Sequence, residues 1–424
     1  MSSPEHLSND FLPPSVTQLL ASQQRWTGPS FATSRLKISP TSHPALVPAP
    51  DSQEVLRSSV CTDHMAVVRW NQTSGWADPE FVPYGAIPMM PTASVFHYST
   101  ACFEGMKVYR GHDGQVRLFR PQYNCARMLA SALRIGLPEF EPVELLGLIR
   151  ELCAIECPKW LPKERAGECL YIRPTLIGTD ASLGFQVPRE TMLFIVISFW
   201  PNPKPERLLG KGEREPAPQE KTLRLFASQE GTVRAWPGGT GSAKISANYG
   251  PSLLAHGEAK SKGFDQVLWL FGPEGYVTEA GSSNFFVIWR NREGKLQLVT
   301  APLTEHTILA GVTRKSILDL ARERLTGGSS YQWDGESLEV VETKFTISDI
   351  VEAAEQEKLV ASFAVGTACF LVSVSRIEFQ GRGIDIPKNA VPHVSALRRW
   401  MTNITTGVES SSWGDVVQEK DAIL

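Results

Sequence analysis

A mixed α/β fold in two domains is what this sequence predicts, and three observations carry the expectation. Short apolar or alternating runs of strand type recur between segments whose apolar residues fall at helical spacing. The 424 residues exceed one ordinary domain and suit two of roughly 150–200 residues, each able to bury its own core. Residues 201–221 (PNPKPERLLGKGEREPAPQEK) are rich in proline and charge, the composition of an exposed linker. They separate a smaller domain over 51–200 from a larger one over 222–424.

Residues 1–50 read as an irregular arm, because Pro13, Pro14, Pro29, Pro40, Pro44, Pro48 and Pro50 leave little room for regular structure. Order begins near Leu56, and residues 65–70 (MAVVRW) suit a strand followed by turn residues and a second extended stretch ending near Pro88. Strand-like runs at 106–110 and 116–119 flank the turn 111–114 (GHDG) and form a hairpin that ends at Pro121. Residues 122–135 and 142–156 carry apolar stripes of helical period, Met128, Leu129, Ala132 and Leu133 in the first and Leu145, Leu148, Ile149 and Leu152 in the second. The runs 169–178 (CLYIRPTLIG) and 191–200 (TMLFIVISFW) are apolar enough for buried central strands.

The second domain opens with a strand at 223–228, then a glycine-rich stretch, then a helix ending by Gly263. Strands follow at 266–271, 284–289 and 296–300. A helix begins at GVTR (311–314), another begins at Thr346 with Asp349 in capping-box position, and a last helix near 393–403 precedes a polar tail. Strand, helix, strand, strand indicates a mixed core, and no GxGxxG follows a strand.

Composition excludes several function classes. The apolar share of 42% and charged share of 21% are those of a folded globular chain. With net charge −3 and dispersed Lys and Arg there is no electrostatic footprint for nucleic acid or an acidic membrane, and no run approaches the ~20 apolar residues of a bilayer span. Seven cysteines include no CxxC pair and no metal-ligand spacing, so no metal is expected and the thiols read as buried residues in a reducing compartment. The first 50 residues hold Glu5 and Asp10 before the first arginine, Arg25; this fits a mitochondrial presequence poorly and favours the cytoplasm over the mitochondrion.

The stretch 236–250 (WPGGTGSAKISANYG) sets Lys244 among small residues, with no carboxylate within four positions and Tyr249 five positions on. Small neighbours let a flat ligand approach the backbone. A phosphate-cradling P-loop needs glycine before the lysine and Ser or Thr after it, and Ala243 and Ile245 stand there instead. Taken alone, the stretch leaves two readings open, a solvated lysine on a turn and a chemically employed one. Gly311-Val312-Thr313, at a helix start, is a candidate anion site because first-turn N–H groups lack intrahelical partners.

Ten ordered motifs over about residues 50–405 resemble the eukaryotic branched-chain amino acid aminotransferases, of the two-domain fold-type IV class that uses pyridoxal 5′-phosphate (PLP). They are TDHM (62–65), FEGMK (103–107), VRLFRP (116–121), LYIRP (170–174), RAW (234–236), GGTG..K..ANYG (238–250), QVLWL (266–270), TEAGSSNFF (278–286), GVTR (311–314) and GTAC (366–369). The resemblance implies that Lys244 forms the Schiff base with PLP and shuttles the substrate proton. By the same resemblance Glu279 meets the pyridine nitrogen, Tyr249 the ring oxygen, and Arg127 with the N–H groups of Val312 and Thr313 and with Thr367 the phosphate. Thr367 and Ala368 match the pair that receives the substrate α-carboxylate, while Tyr98, Phe103, Tyr171 and Arg173 match the lining of the side-chain pocket. Arg173 supplies the polar edge needed to accept a glutamate carboxylate.

The implied reaction moves the amino group between leucine, isoleucine or valine and 2-oxoglutarate, in a homodimer whose partners are small amino acids and 2-oxo acids. An alternative keeps the cofactor but takes a bulkier amino acid in a biosynthetic pathway, or runs lyase chemistry; a non-catalytic protein retaining the fold is a third reading. Three departures bear on specificity. FWPNPKPE (199–206) replaces an aromatic-containing loop, Cys369 is followed by Phe370, Leu371 and Val372 rather than by a second cysteine in CxxC spacing, and Cys61 replaces an aromatic before TDHM.

Overall fold

A computed structural model describes residues 28–50, 52–201, 222–328, 331–387 and 392–420. The chain divides into two compact units: residues 1–200, 237–251 and 402–424 in the first, residues 201–236 and 252–401 in the second. The lysine stretch, expected to follow the opening strand of the second domain, therefore belongs with the first unit. Of the expected linker 201–221, only Pro201 lies within the described residues.

The first unit is a ten-stranded sheet among the described residues. Its path runs Lys37–Ile38, Glu80–Pro83, His64–Asn71, Glu190–Phe199, Cys169–Gly178, Met106–Arg110, Val116–Phe119 and Gly414–Val417, with Gly75–Trp76 and Ala101–Phe103 as side branches. The long central strands pair antiparallel with Tyr171 opposite Ser198 and Arg173 opposite Val196. Side chains alternate across a strand, so this register assigns the two faces different work. Leu170, Ile172, Leu176, Leu193, Ile195, Ile197 and Phe199 face one way and join one buried cluster with Met128, Ala132, Leu145, Leu148, Ile149 and Leu152 of the helices Pro121–Arg134 and Pro142–Trp160. Tyr171, Arg173 and Thr175 face the other way, where burial is less complete.

Within its described residues, 28–50, the arm is more ordered than its prolines suggest. Phe31 is fully buried against the rings of Trp76 (5.2 Å) and Phe140 (6.1 Å), and Lys37–Ile38 pairs with Glu80 and Phe81. TDHM explains the anchoring: Thr41 N donates to His64 Nε2 (3.1 Å), whose Nδ1 meets Glu156 Oε1 at 2.6 Å. Asp63 accepts from Ala45 N (2.7 Å), Lys159 Nζ (2.6 Å) and Trp160 Nε1 (3.0 Å). Burial pushes the Asp63 carboxyl up, but those three donors outweigh it and hold it below the ordinary carboxylate value.

The expected polar tail is also structured. Gly414–Val417 pairs antiparallel with Val116–Phe119, and Glu419 grips Arg110, a fully buried guanidinium, through Nη1 (2.8 Å) and Nη2 (2.6 Å). Arg120 donates its N–H to Trp413 O (2.8 Å) and lies 4.2 Å from the Trp413 ring, at the start of the helix Pro121–Arg134.

The second unit is a nine-stranded sheet among the described residues, ordered Tyr276–Ala280, Gln266–Phe271, Leu223–Ala227, Phe370–Phe379, Leu359–Gly366, Ser283–Arg290, Leu296–Thr300 and Glu339–Glu342, with Arg382–Asp385 added to Phe370–Phe379. Tyr276–Ala280 also pairs with Ser283–Arg290, which closes six of these strands into a ring and sets Glu279 opposite Asn284. Its core joins Leu225, Leu268, Phe285, Val287, Ala364 and Ile377 with Ile347 and Ile350 of the helix Ile347–Glu355, whose Thr346 and Asp349 form the expected capping box.

Candidate active site

In the first unit the lysine loop is laced down at four points. Ser131 Oγ, on the helix Pro121–Arg134, accepts from Lys244 N (2.8 Å), and Lys244 O accepts from Phe103 N (3.1 Å). Arg134 Nη2 reaches the carbonyls of Gly238 and Gly239 (3.1 and 3.2 Å), while Asn248 Nδ2 donates to Thr240 O and Ala243 O (2.9 and 2.8 Å). A loop so tied offers its lysine in one direction. Lys244 Nζ donates to Tyr249 Oη at 2.8 Å and lies 4.4 Å from the centre of the Phe103 ring.

Arg127, on the same helix face as Ser131, is held by a carboxylate that sequence reasoning did not single out. Glu104 is fully buried and accepts from Arg127 Nε (2.7 Å) and Nη2 (2.8 Å), a two-pronged contact, and also from Asn124 Nδ2 (2.8 Å) and Gly105 N (3.2 Å). Burial draws the Arg127 pKa down, but the Glu104 charge more than reverses this, and the phenols of Tyr249 and Tyr171 add to it. The Tyr249 ring lies 5.0 Å from that of Phe103, and Tyr171 Oη lies 1.9 Å from where a Cβ on Gly105, next to Glu104, would stand.

Phe103, Tyr171 and Arg173 also meet. The Arg173 guanidinium lies 4.9 Å from the Phe103 ring and 5.1 Å from the Tyr171 ring, and Arg173 Nη2 donates to Tyr171 Oη at 3.2 Å. Arg173 Nε is buried with no acceptor among the described residues. Tyr98 is placed differently: its ring packs on Phe185 (5.4 Å) and its hydroxyl donates to Leu183 O.

In the second unit Glu279 is 1% exposed. Its Oε1 accepts from Asn284 Nδ2 (3.1 Å) and Leu309 N (3.2 Å), and its Oε2 stands 2.7 Å from Arg234 Nη1. That last approach is an ion pair outside hydrogen-bonding angles, since neither atom makes a hydrogen bond of good geometry. Glu279 is thus a buried carboxylate faced by a guanidinium and two N–H donors.

Gly311 precedes the helix Val312–Arg324, and a Cβ on it would lie 2.1 Å from Asn284 Oδ1, so only glycine lets the helix start approach the Glu279 partner. Val312 and Thr313 occupy the first turn, whose N–H groups lack intrahelical partners. Thr367 and Ala368 lie in the turn between Leu359–Gly366 and Phe370–Phe379, the first half-buried and the second exposed. Glu104, Arg234, Asn284 and Ser131 are the functional holders the residue-by-residue reading left out. The motifs FEGMK and RAW contain two of them, but nothing in a motif says which distant group its charge meets.

Among the described residues no cluster of His, Cys, Asp or Glu could hold a metal, and no helix is long and apolar enough to cross a membrane. Residues 101–356 match the Amino-transferase class IV family. The chain is 40% identical over 371 residues, 87% of its length and 81% of the relative's, to the mitochondrial branched-chain-amino-acid aminotransferase of Schizosaccharomyces pombe. It is 40% identical to the cytosolic enzyme of Saccharomyces cerevisiae, covering 91% and 97% of the two chains, and 38% identical to the mitochondrial enzyme of Bos taurus, covering 95% and 96%. The fold matches the crystal structure of the Escherichia coli branched-chain amino acid aminotransferase with a TM-score of 0.61, over 82% of this chain and 99% of that one, at 23% identity. The Thermoproteus uzoniensis branched-chain aminotransferase solved with norvaline gives 0.61 at 22% identity, over 83% and 99%. Ordered motifs, sheet topology and sequence identity agree, and the chain belongs to the class IV aminotransferases, in the branched-chain-amino-acid aminotransferase family.

Proposed function

We propose that this protein transfers the amino group between branched-chain L-amino acids (leucine, isoleucine, valine) and 2-oxoglutarate, using PLP. The observation that carries the reading is the Lys244 Nζ to Tyr249 Oη contact of 2.8 Å on a loop tied to Ser131 and Phe103. Taken unit by unit, the donors suit PLP: the first unit offers an amine for its aldehyde carbon, a phenol for its ring oxygen and an arginine for its phosphate, and the second a buried carboxylate for its ring nitrogen and helix-start N–H groups for its phosphate. When bound, PLP supplies an electrophilic carbon and a protonated ring that delocalises the electron pair left at the substrate Cα.

The chain's own residues do the rest. Lys244 would hold the cofactor at its aldehyde carbon and, once displaced by the substrate amine, would carry the proton taken from the substrate Cα. Tyr249 steadies the ring oxygen and the lysine amine in turn. Glu279, faced by Arg234, Asn284 Nδ2 and Leu309 N–H, would meet the ring nitrogen. Arg127, oriented by Glu104, binds phosphate with the N–H groups of Val312 and Thr313 and with Thr367. Thr367 and Ala368 would receive the substrate α-carboxylate; Phe103 and Tyr171 would face its aliphatic side chain, and Arg173 would meet the distal carboxylate of glutamate.

The working form is a homodimer, a reading supported by the family resemblance, in the cytosol or the mitochondrion, the two compartments named for its relatives. The test is direct. Protein supplied with PLP gains a visible absorption band and forms glutamate from leucine and 2-oxoglutarate, and Lys244→Ala loses both. A wild-type protein with neither property, or a Lys244→Ala variant that keeps both, refutes the reading.

A further inference from the structure

The segment 199–206 departs from the family, and residues 202–206 lie outside those described, but Trp200 is described and its place is informative. Tyr171 pairs with Ser198, so a residue two positions further along shares its face of the sheet. The Trp200 indole stacks on the Tyr171 ring with centroids 4.5 Å apart and planes at 24°. Lys107, which pairs with Tyr171 from the other neighbouring strand, brings its Nζ to 5.9 Å from the same indole.

Tyr171 is thus fixed from two sides. Its hydroxyl sits in a slot that only glycine leaves open, since a Cβ on Gly105 would lie 1.9 Å from it, and its ring is covered by Trp200. What Tyr171 in turn fixes is Arg173, through the 3.2 Å hydrogen bond and the ring face. The contacts run in series: Trp200 to Tyr171, Tyr171 to Arg173, Arg173 to Phe103, and Phe103 to Lys244 Nζ at 4.4 Å.

We infer that Trp200 is a specificity-positioning residue that holds Tyr171 so that Arg173 is pre-aimed at the distal carboxylate of a five-carbon dicarboxylic substrate. The inference rests on the transaminase reading. Two arguments favour this role over a packing role. Among the described residues the Arg173 guanidinium meets only a phenol and ring faces and no carboxylate, so its aim matters most when an acidic side chain is bound. A branched aliphatic side chain takes no hydrogen bond from Arg173 and is indifferent to where that guanidinium points. Loss of pre-aiming therefore falls on one substrate class and spares the other.

The experiment compares the two half-reactions on PLP-loaded full-length enzyme, with L-leucine and L-glutamate as separate donors, for wild type, Trp200→Leu, Trp200→Ala and Trp200→Phe. The leucine variant fills the space without a stacking face and guards against a collapse of the alanine variant. We expect kcat/KM for glutamate to fall about ten-fold in Trp200→Leu and Trp200→Ala, chiefly through KM. The value for leucine should stay within about three-fold, and Trp200→Phe should restore the wild-type ratio. A merely structural tryptophan would lower both values together. An unchanged glutamate-to-leucine ratio in Trp200→Leu, or a ratio that Trp200→Phe does not restore, overturns the inference. A wild-type enzyme that converts neither donor overturns the transaminase reading instead, so the two failures are distinct.

Discussion

Replacing Glu104 tests whether Arg127 serves the cofactor or merely the core. In Glu104→Gln the shape is kept but the charge is lost, and Arg127, with 11% of its side chain exposed, becomes a buried cation without its counter-ion. Breaking a buried pair from one side costs about 3–5 kcal/mol. The amide still offers one oxygen to the guanidinium, so the lower end, about 3 kcal/mol, is expected. For a compact unit of this size that lowers the unfolding midpoint by about 6–12 °C.

The decisive arm is the double variant Glu104→Gln/Arg127→Met. Replacing both partners of a buried pair by uncharged groups is often nearly neutral, so the double variant should regain about 2 kcal/mol over Glu104→Gln. PLP affinity behaves otherwise, because the phosphate has lost its arginine: the double variant should bind PLP more weakly than wild type by at least ten-fold. Thermal or guanidinium unfolding of the PLP-free protein, with a fluorescence titration for PLP, reads both. Strictly additive stabilities, or a double variant that is restored in stability and equally tight for PLP, would refute the argument.

Two further outcomes follow from the same geometry. Arg234→Leu removes the cation 2.7 Å from Glu279 and leaves a buried carboxylate short of a partner, worth about 3 kcal/mol. If Glu279 acts at the ring nitrogen, this appears as a drop in kcat of about two orders of magnitude, whereas unaltered turnover with a lowered unfolding midpoint would assign Arg234 to stability alone. Asp63 has a folded pKa below its unfolded one, so its contribution to stability is present above the ordinary carboxylate pKa and is lost as pH falls through the folded value. Asp63→Asn should therefore flatten the acid limb of the stability curve below about pH 4 while leaving its slope between pH 6 and 8 unchanged; an acid limb as steep as that of wild type would contradict this.

Much of the scaffold is legible in the chain because local pattern and tertiary role coincide there. CLYIRPTLIG and MKVYR form strands at the expected positions, since an apolar run flanked by turn residues has few other uses in a sheet-forming region. Phe31 was hidden by the prolines around it, and its burial depends on Trp76 and Phe140, neither a sequence neighbour. The last strand has no alternation strong enough to read; its existence depends on the free edge of Val116–Phe119. The site shows the same division. Lys244 stands out through its neighbours in the chain, whereas Glu104 and Arg234 acquire meaning only from partners 23 and 45 residues away. Trp200 reads as one more apolar residue at a strand end until Tyr171 is found beneath it.

The grip of Glu419 on Arg110 has a consequence for the birth of the molecule. Every residue of the second unit emerges from the ribosome before Glu419 does, while the strand bearing Arg110 has by then waited through some three hundred residues of synthesis with a cation that has no place in an apolar interior. The usual order, in which the earlier part of a chain matures first, is reversed. The earlier unit needs the lysine loop and then residues 402–420 to complete it, so Arg110 stays hydrated and Trp413 is missing from beside Arg120 until the later unit can already have folded. A nascent chain stalled before Glu419 should accordingly show a protease-resistant second unit and a still-cleavable first one.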